Sequence, residues 1–305
     1  MTVVPSKVLL TGASGLIGAN LVRELSANRI QTFQLVRKGI GELSTNKIAW
    51  NPLAGQPVAE LQRLEGLDAV IHLSGANVSS HRWTERYKQE ILSSRVDTTL
   101  ALTRALQSLK QPPKTCLCAS AVGIYGNRED ELLTEASAPG RSFLADTCVA
   151  WEAAADTARD VGARVVHLRF GVVLSAEGGA LKQMLPLFRL GAGGKLGNGR
   201  QWMSWISMPD LIDAMLHLLE TETMEGSVNL VAPNPVTNIE FTKALGRAVH
   251  RPAVLPVPAF ALRLAFGEMA DDALLASVRA IPERLTVSGF KFRYPDIAPA
   301  LRAVL

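Results

Sequence analysis

Gly12, Gly15 and Gly18 stand at three-residue spacing in VLLTGASGLIGANL, between an apolar run and an amphipathic one. At a strand-to-helix junction that spacing suits a dinucleotide. The first glycine permits a tight turn, the second lets backbone approach a pyrophosphate, and the third lets the helix pack closely on the strand. The N–H groups around Ser14, Leu16 and Ile17 then face the phosphates, because the first turn of a helix leaves its donors unpaired. Glycines often do no more than turn a chain. Their place at the first such junction is what points to a dinucleotide.

The next apolar run ends QLVRKG, with Arg37 and Lys38 where an NAD site usually carries an acid for the ribose 2′-hydroxyl. No carboxylate follows until Glu42. A guanidinium pairs with a 2′-phosphate through two parallel hydrogen bonds, whereas a carboxylate would repel it. The residues therefore favour NADP(H) over NAD(H), with a solvated basic turn as the plainer alternative.

The elements that must position these groups alternate along the first two-thirds of the chain. KVLLTG, QTFQLV, LDAVIHLSG, KTCLCASAVGIYG and ARVVHLRFGVVL are apolar runs separated by helical patterns, the longest from about Thr84 to Leu109. Their hydrophobicity is continuous, not alternating, which implies strands buried on both faces of a parallel sheet. The expected fold class is α/β, a Rossmann-type doubly wound sheet with a small C-terminal α/β subdomain. The domain reading is 1–233 for the dinucleotide unit, with 175–207 contributing to the substrate cleft, and 234–305 for the small capping unit. His72, inside a buried strand, reads as a core histidine.

The 305 residues include 48% hydrophobic and 20% charged side chains, a soluble globular balance. The net charge of +4 is spread without long basic runs, so nucleic acid is not an expected partner. No apolar run reaches the length of a membrane span, and the strand begins too early for a signal peptide. Cys116, Cys118 and Cys148 lack metal spacing and read as buried thiols of a cytoplasmic protein.

TGASGLIG, DAVIHLSGA, ASAVGIYG and LRFGVVL together resemble the extended short-chain dehydrogenase/reductase family of the nucleotide-sugar epimerase type. WEAAA, LPLFRLGAGGKLGNGRQWMSWI and IPERLTVSGFKFRYPDIAPAL are similar to its atypical branch, the epimerase-family proteins. The resemblance covers almost the whole chain. It implies cofactor contacts at Val36 and Arg37, at Leu73 and Ser74 with Gly75 beside them, at Glu90 and Arg95, at Ser120, and at Val173. Arg95 replaces a typical asparagine; it suits a phosphate or ribose, or a salt bridge across a helix turn. Relatives often dimerise through the two long helices that Thr84 and Phe143 begin, so a homodimer is compatible with the sequence.

The wider family moves a proton with a tyrosine, a lysine four residues later and an orienting hydroxyl. Counted back from the glutamate of WEAAA, the tyrosine position is Leu144 and the lysine position Cys148. The hydroxyl position is Ala121, with Ser120 one residue off register. None of these replacements carries the usual chemistry, and Leu144, Cys148, Trp151 and Ala155 read instead as an apolar stripe. No catalytic residue is assigned. Met203 stands where typical relatives keep an arginine for a diphosphate, which leaves Tyr125, Arg200 and Trp202 as candidate pocket residues. Two functions follow: an NADP(H)-dependent, epimerase-like oxidoreductase acting on a small molecule without the triad, or a non-catalytic protein that reads NADP(H).

Overall fold

The computed structural model describes residues 5–37 and 45–305, so Lys38 lies outside the described residues. The chain opens with β1 (Lys7–Thr11), α1 (Leu16–Ala27), β2 (Gln31–Val36), β3 (Lys47–Ala49), β4 (Ala69–His72), α2 (Glu85–Gln107) and β5 (Thr115–Ala121). It continues through β6 (Leu132–Leu133), α3 (Phe143–Asp156), β7 (Arg164–Phe170), β8 (Val172–Leu174) and α4 (Gly179–Arg189). Next come β9 (Trp202–Met203), β10 (Trp205–Ser207), α5 (Met208–Glu220) and β11 (Gly226–Leu230). The chain finishes with β12 (Val236–Thr237), α6 (Asn238–Ala248), α7 (Ala259–Phe266), β13 (Arg279–Ala280), α8 (Glu283–Val287) and α9 (Ile297–Val304).

Seven strands make one sheet in the order β11-β7-β5-β4-β1-β2-β3, parallel at each junction. This is the doubly wound Rossmann-type sheet expected from the apolar runs. Each strand feeds both faces. Val8, Leu10, Ile71 and Leu117 pack with Leu21 and Leu25 of α1 and Leu211 and Met215 of α5. Leu9 and Val70 point the other way, to Leu102 and Leu106 of α2. Cys116 and Cys118 alternate because both face Trp151 and Ala155 of α3.

The run ARVVHLRFGVVL divides at Gly171, where a Cβ would lie 2.7 Å from the Ser204 carbonyl oxygen. There the chain leaves the large sheet, and β8 pairs with β10. α4 then shares a core with α6 and α9: Leu181, Leu185 and Phe188 meet Phe241, Leu245 and Leu301 around Trp205. Two short pairings, β6 with β13 and β9 with β12, stitch this region to the sheet. The outer edge of β11 is covered by side chains. Glu135 Oε1 accepts the Asn229 N–H at 3.0 Å, and Arg284 donates to the Ser227 carbonyl at 2.6 Å. Such caps keep an edge strand from pairing elsewhere.

His72, at the end of β4, has no exposed surface. Its Nε2 lies 3.0 Å from Thr99 Oγ1, which donates to the Arg95 carbonyl and accepts Trp151 Nε1–H at 3.0 Å. Its Nδ1 lies 2.6 Å from Thr11 Oγ1, which in turn accepts the Leu73 N–H. Every partner is satisfied by a neutral ring protonated on Nε2. Burial pulls the pKa from 6.5 down to about 4.

A base whose folded pKa is depressed contributes stability above its unfolded pKa and loses it as pH falls toward the folded one. Unfolding free energy should therefore drop by about 2 kcal/mol between pH 7 and pH 5. Urea titrations at the two pH values check this, with His72→Gln expected to flatten the slope. A residual slope from His167, whose pKa burial also lowers, should remain.

Candidate functional site

The turn after β1 is built to be bare. Gly12 has φ +72°, and a Cβ there would meet the Leu73 carbonyl at 2.8 Å and the Ser74 nitrogen at 3.0 Å. The turns after β1 and β4 thus touch back to back. A Cβ at Gly18 would lie 2.2 Å from the Gly12 carbonyl oxygen, which is how closely α1 sits on the turn. Gly15 differs: its Cβ would meet nothing nearer than that oxygen at 3.3 Å, and the residue is exposed beside exposed Ser14.

α1 begins at Leu16 with no side-chain cap and no acidic residue in its first turn. By contrast α2, α3, α5 and α6 close their starts with Thr84, Ser142, Ser207 and Thr237. The N–H groups around Leu16 and Ile17 are therefore open to an anion, and the bare glycines give a phosphate backbone room to approach. These residues fit a dinucleotide.

Strand register places the remaining candidates around that turn. Thr11 pairs with Leu35 and with His72, so Val36 and Leu73 both flank Gly12. Arg37 follows Val36 and is exposed. Arg95, on α2, lies under Gly75, where a Cβ would come within 3.3 Å of its Cζ. Its guanidinium sits 5.0 Å over the Trp151 ring and donates to the Ile91 carbonyl at 3.1 Å. Burial lowers its pKa, against the nearby Cys148 and Tyr87. Among the described residues no carboxylate stands within 4.0 Å, so the helix-turn salt bridge is not formed. A half-buried guanidinium with unused donors suits a phosphate or ribose. Glu90 is exposed earlier on α2. Val173 reaches the turn through Gly179, which lies against both its carbonyl and the Leu16 side chain.

The triad positions hold packing residues. Leu144 lies against Gly123, its Cβ 3.7 Å from where a Gly123 Cβ would stand. Cys148 is buried with Tyr125 and Val122. Burial pushes its thiol up to about 11, outweighing the pull of Arg95, so it is neither a cation nor a thiolate at neutral pH. Of the apolar stripe read from the sequence, Cys148, Trp151 and Ala155 lie on the buried face of α3, and Leu144 is half-buried at its start.

Two candidates sit elsewhere than the sequence reading placed them. Tyr125 is no pocket wall: it has no exposed surface, and its hydroxyl donates to Asn229 Oδ1 at 2.7 Å and accepts from Arg169 at 3.0 Å. Ser120 is buried and donates its hydroxyl to Glu152 Oε1 at 2.7 Å. Both belong to a network around a two-pronged ion pair, in which Arg169 Nε and Nη2 each contact Glu152 at 2.8 Å. Burial raises the Glu152 pKa, but the Arg169 hydrogen bonds and charge outweigh it and hold the carboxylate below its ordinary range. Trp202 is pinned as well, donating to Asp130 Oδ1 at 2.7 Å with the Arg279 guanidinium 4.2 Å over its ring. Arg200 is exposed on the loop before β9. Met203, at the arginine position of typical relatives, packs on the α4–α6–α9 core.

One contact set had no sequence signal. Past α7 the chain forms a π-helical turn, Ala270–Leu274, that crosses to the starts of α2 and α3. Met269 is buried with Trp83, Tyr87 and Ile91, against Phe143 and Leu144. Glu268 pairs with Lys88 at 3.0 Å, and Asp272 Oδ2 accepts the Leu144 N–H at 3.2 Å. This strap stands over the helix end that carries the vacated tyrosine position. π turns recur at functional sites, but a strap built from residues 180 apart in sequence leaves no local periodicity to find.

Residues 8–230 match the NAD dependent epimerase/dehydratase family, and residues 257–304 match a domain of unknown function, DUF1731. An epimerase family protein of Mycobacterium bovis is 43% identical over 294 residues, covering 96% of each chain. The crystal structure of human epimerase family protein SDR39U1 with NADPH is 33% identical, with a TM-score of 0.88 over 98% of each chain. A nucleoside-diphosphate sugar epimerase from Corynebacterium glutamicum is 37% identical with a TM-score of 0.78, covering 99% of this chain and 58% of that one.

The glycine geometry separates two variants. Gly15→Val should fold and melt within a few degrees of wild type while losing dinucleotide binding, because its Cβ meets only the Gly12 carbonyl oxygen, at 3.3 Å, and its branch projects into the exposed cradle. Gly18→Val should lose the fold itself, since its Cβ would stand 2.2 Å from backbone. Thermal melts with dinucleotide titration check both; full affinity in a folded Gly15→Val protein would displace the phosphate site from this turn.

Proposed function

The chain belongs to the NAD dependent epimerase/dehydratase family, and from that premise we propose that it binds NADP(H) in the bare turn and acts as an oxidoreductase on a small molecule. The observation that carries the cofactor choice is Arg37, exposed one residue past β2 on the strand beside Gly12. A 2′-phosphate there gains a charge-assisted pair, and the human relative crystallised with NADPH supports the same preference.

Gly12, Gly15 and the opening N–H groups of α1 hold the pyrophosphate in this reading. Arg95 takes a phosphate or ribose oxygen from below Gly75. A nicotinamide cofactor supplies hydride when bound. Leu144 packs against Gly123 beneath the strap, and in this reading the residues at the triad positions of α3 move no proton. The proton then comes from solvent, from substrate or from a group outside α3, which favours a reaction whose hydride acceptor needs no strong acid beside it. With all three cysteines free and buried, the chain suits a reducing cytoplasm.

A second reading has its own observation. Asp272 and Met269 of the strap contact Phe143 and Leu144 directly, so the helix end that usually meets substrate is partly covered. A protein that binds NADP(H) without turning it over, and reports its occupancy through the strap, fits that cover. Oxidation of NADPH against a panel of carbonyl compounds separates the two: turnover above the rate of a Gly15→Val control supports the enzyme, and its complete absence supports the sensor.

NADPH should bind at least about tenfold more tightly than NADH, a difference of about 1.4 kcal/mol. Arg37→Asp should remove most of that preference by deleting a charge-assisted pair and adding repulsion. Calorimetric titration checks it, and equal affinities in the wild type would remove Arg37 from the site.

Leu144→Ala and Cys148→Ser should affect packing, not proton transfer. The leucine is half-buried, so its loss should cost about 2 kcal/mol, the low end for such truncations. Any turnover should keep its pH profile in both variants, and iodoacetamide should label Cys148 in the folded protein slowly. Rapid labelling with loss of activity would make the thiol a working group.

A further inference from the structure

α7 shows water an unusual surface. It buries Leu262, yet Phe260 and Leu264, one turn apart on the same side, are 71% and 76% exposed. Beside it Leu190 is 80% and Val254 72% exposed, with Leu187 and Leu255 more than half exposed. Seven of the twelve large apolar side chains exposed among the described residues fall within 187–190 and 254–266, so the exposure is concentrated and not scattered.

The two segments run side by side. Arg251 Nε donates to the Arg189 carbonyl at 3.2 Å, Leu255 N–H to Gly193 at 3.2 Å, and Val257 N–H to Lys195 at 2.9 Å. Leu196 bridges to Val257, and α7 starts two residues later. The end of α4, the 251–257 stretch and α7 therefore make one band.

Cations border that band. Lys243, Arg247 and Arg251, with the His250 ring among them, line a cavity of about 490 Å³ whose rim includes Val254, and no carboxylate lines it. Lys243 and Arg247 stand one turn apart on α6. A helix C-terminus favours cations, which accounts for Arg247 in the last turn, and Lys243 stands one turn from Glu240, whose carboxylate it favours; neither accounts for the apolar band alongside. On α7 itself, Arg263 is neutralised by Asp271 at 2.9 Å.

We propose that this face docks on the surface of an anionic lipid bilayer, with Phe260, Leu264, Leu190 and Val254 entering the acyl boundary and the α6 cations meeting headgroup phosphates. Apolar side chains bordered by cations are the pattern of interfacial binding, which needs no spanning segment. Indeed, no helix among the described residues is long and apolar enough to cross a membrane. A second copy of the chain is the poorer occupant, because a two-fold contact centred on this face sets Lys243, Arg247 and Arg251 against their own copies. The proposal is independent of the cofactor reading.

The test is co-sedimentation of the full chain with vesicles of phosphatidylcholine alone and of an equimolar phosphatidylcholine–phosphatidylglycerol mixture. The wild type should partition onto the anionic vesicles and release as salt rises. Lys243→Glu with Arg247→Glu should weaken partitioning at least about tenfold, since each cation near the surface is worth about a fivefold factor. Phe260→Ser with Leu264→Ser should weaken it by a similar factor, and Leu190→Ser with Val254→Ser provides a second apolar pair. All six positions lie at the surface or on the cavity rim, so unchanged melting temperatures are expected. No partitioning at low salt, or partitioning that both apolar pairs leave intact, overturns the proposal. So does a concentration-dependent dimer that the apolar pairs abolish without any vesicle binding.

Discussion

The neutral imidazole of His72 ties two neighbouring strands of the sheet to the two helices that pack together over it. Through Thr11 it fixes the end of β1 and the Leu73 amide, and through Thr99 it fixes the Arg95 carbonyl on α2 and the Trp151 indole on α3. Each hydroxyl in the chain both donates and accepts, which leaves no buried donor idle. A buried polar chain of this kind stabilises little beyond an apolar packing of equal volume, but half-satisfied it would be costly. Its value lies in registration: the glycine turn, the Leu73 turn and the Arg95 helix can stand in one relation to each other.

The same logic explains what became of the triad helix. In α3 the face that would carry a tyrosine and lysine is occupied by Leu144, Cys148 and Trp151, and its one buried charge, Glu152, turns to Arg169. Ser120 and Tyr125, the hydroxyls nearest the expected chemistry, are drawn into that ion pair. Buried pairs are weak sources of stability but strong constraints on geometry, because removing either partner leaves an uncompensated charge. α3 thus serves as an anchor through Glu152: the Ser120 hydroxyl is oriented by that carboxylate, and the Tyr125 hydroxyl by Asn229 and Arg169.

What could be seen in the sequence was what local physics decides. Gly12, Gly15 and Gly18 differ in their neighbours, yet their spacing announced the turn. Thr84 announced a helix start that its hydroxyl does cap. Continuous apolar strands announced a sheet buried on both sides. Tyr125 was misplaced because an aromatic with a polar handle suits a pocket wall and a core equally well. The partner decides, and Asn229 lies 104 residues away. Arg169 gave no sign of pairing with Glu152, since a cation on a strand and an acid on a helix share no periodicity.

α7 and the turn beyond it show how one short segment can serve two masters in a small unit. The Leu264 carbonyl accepts from Arg82 at 3.3 Å, and the chain then dives to bury Met269 and present Asp272 to α3, while the Leu264 side chain stays in water. A helix exposing Phe260 and Leu264 loses nothing by burying them elsewhere and would gain from it, whereas the strap end is already satisfied by Lys88 and the Leu144 amide. Any surface that covers α7 would therefore lie twelve residues along the chain from the Asp272 contact with the first turn of α3, so the exposed apolar face and the buried strap are two ends of one short segment.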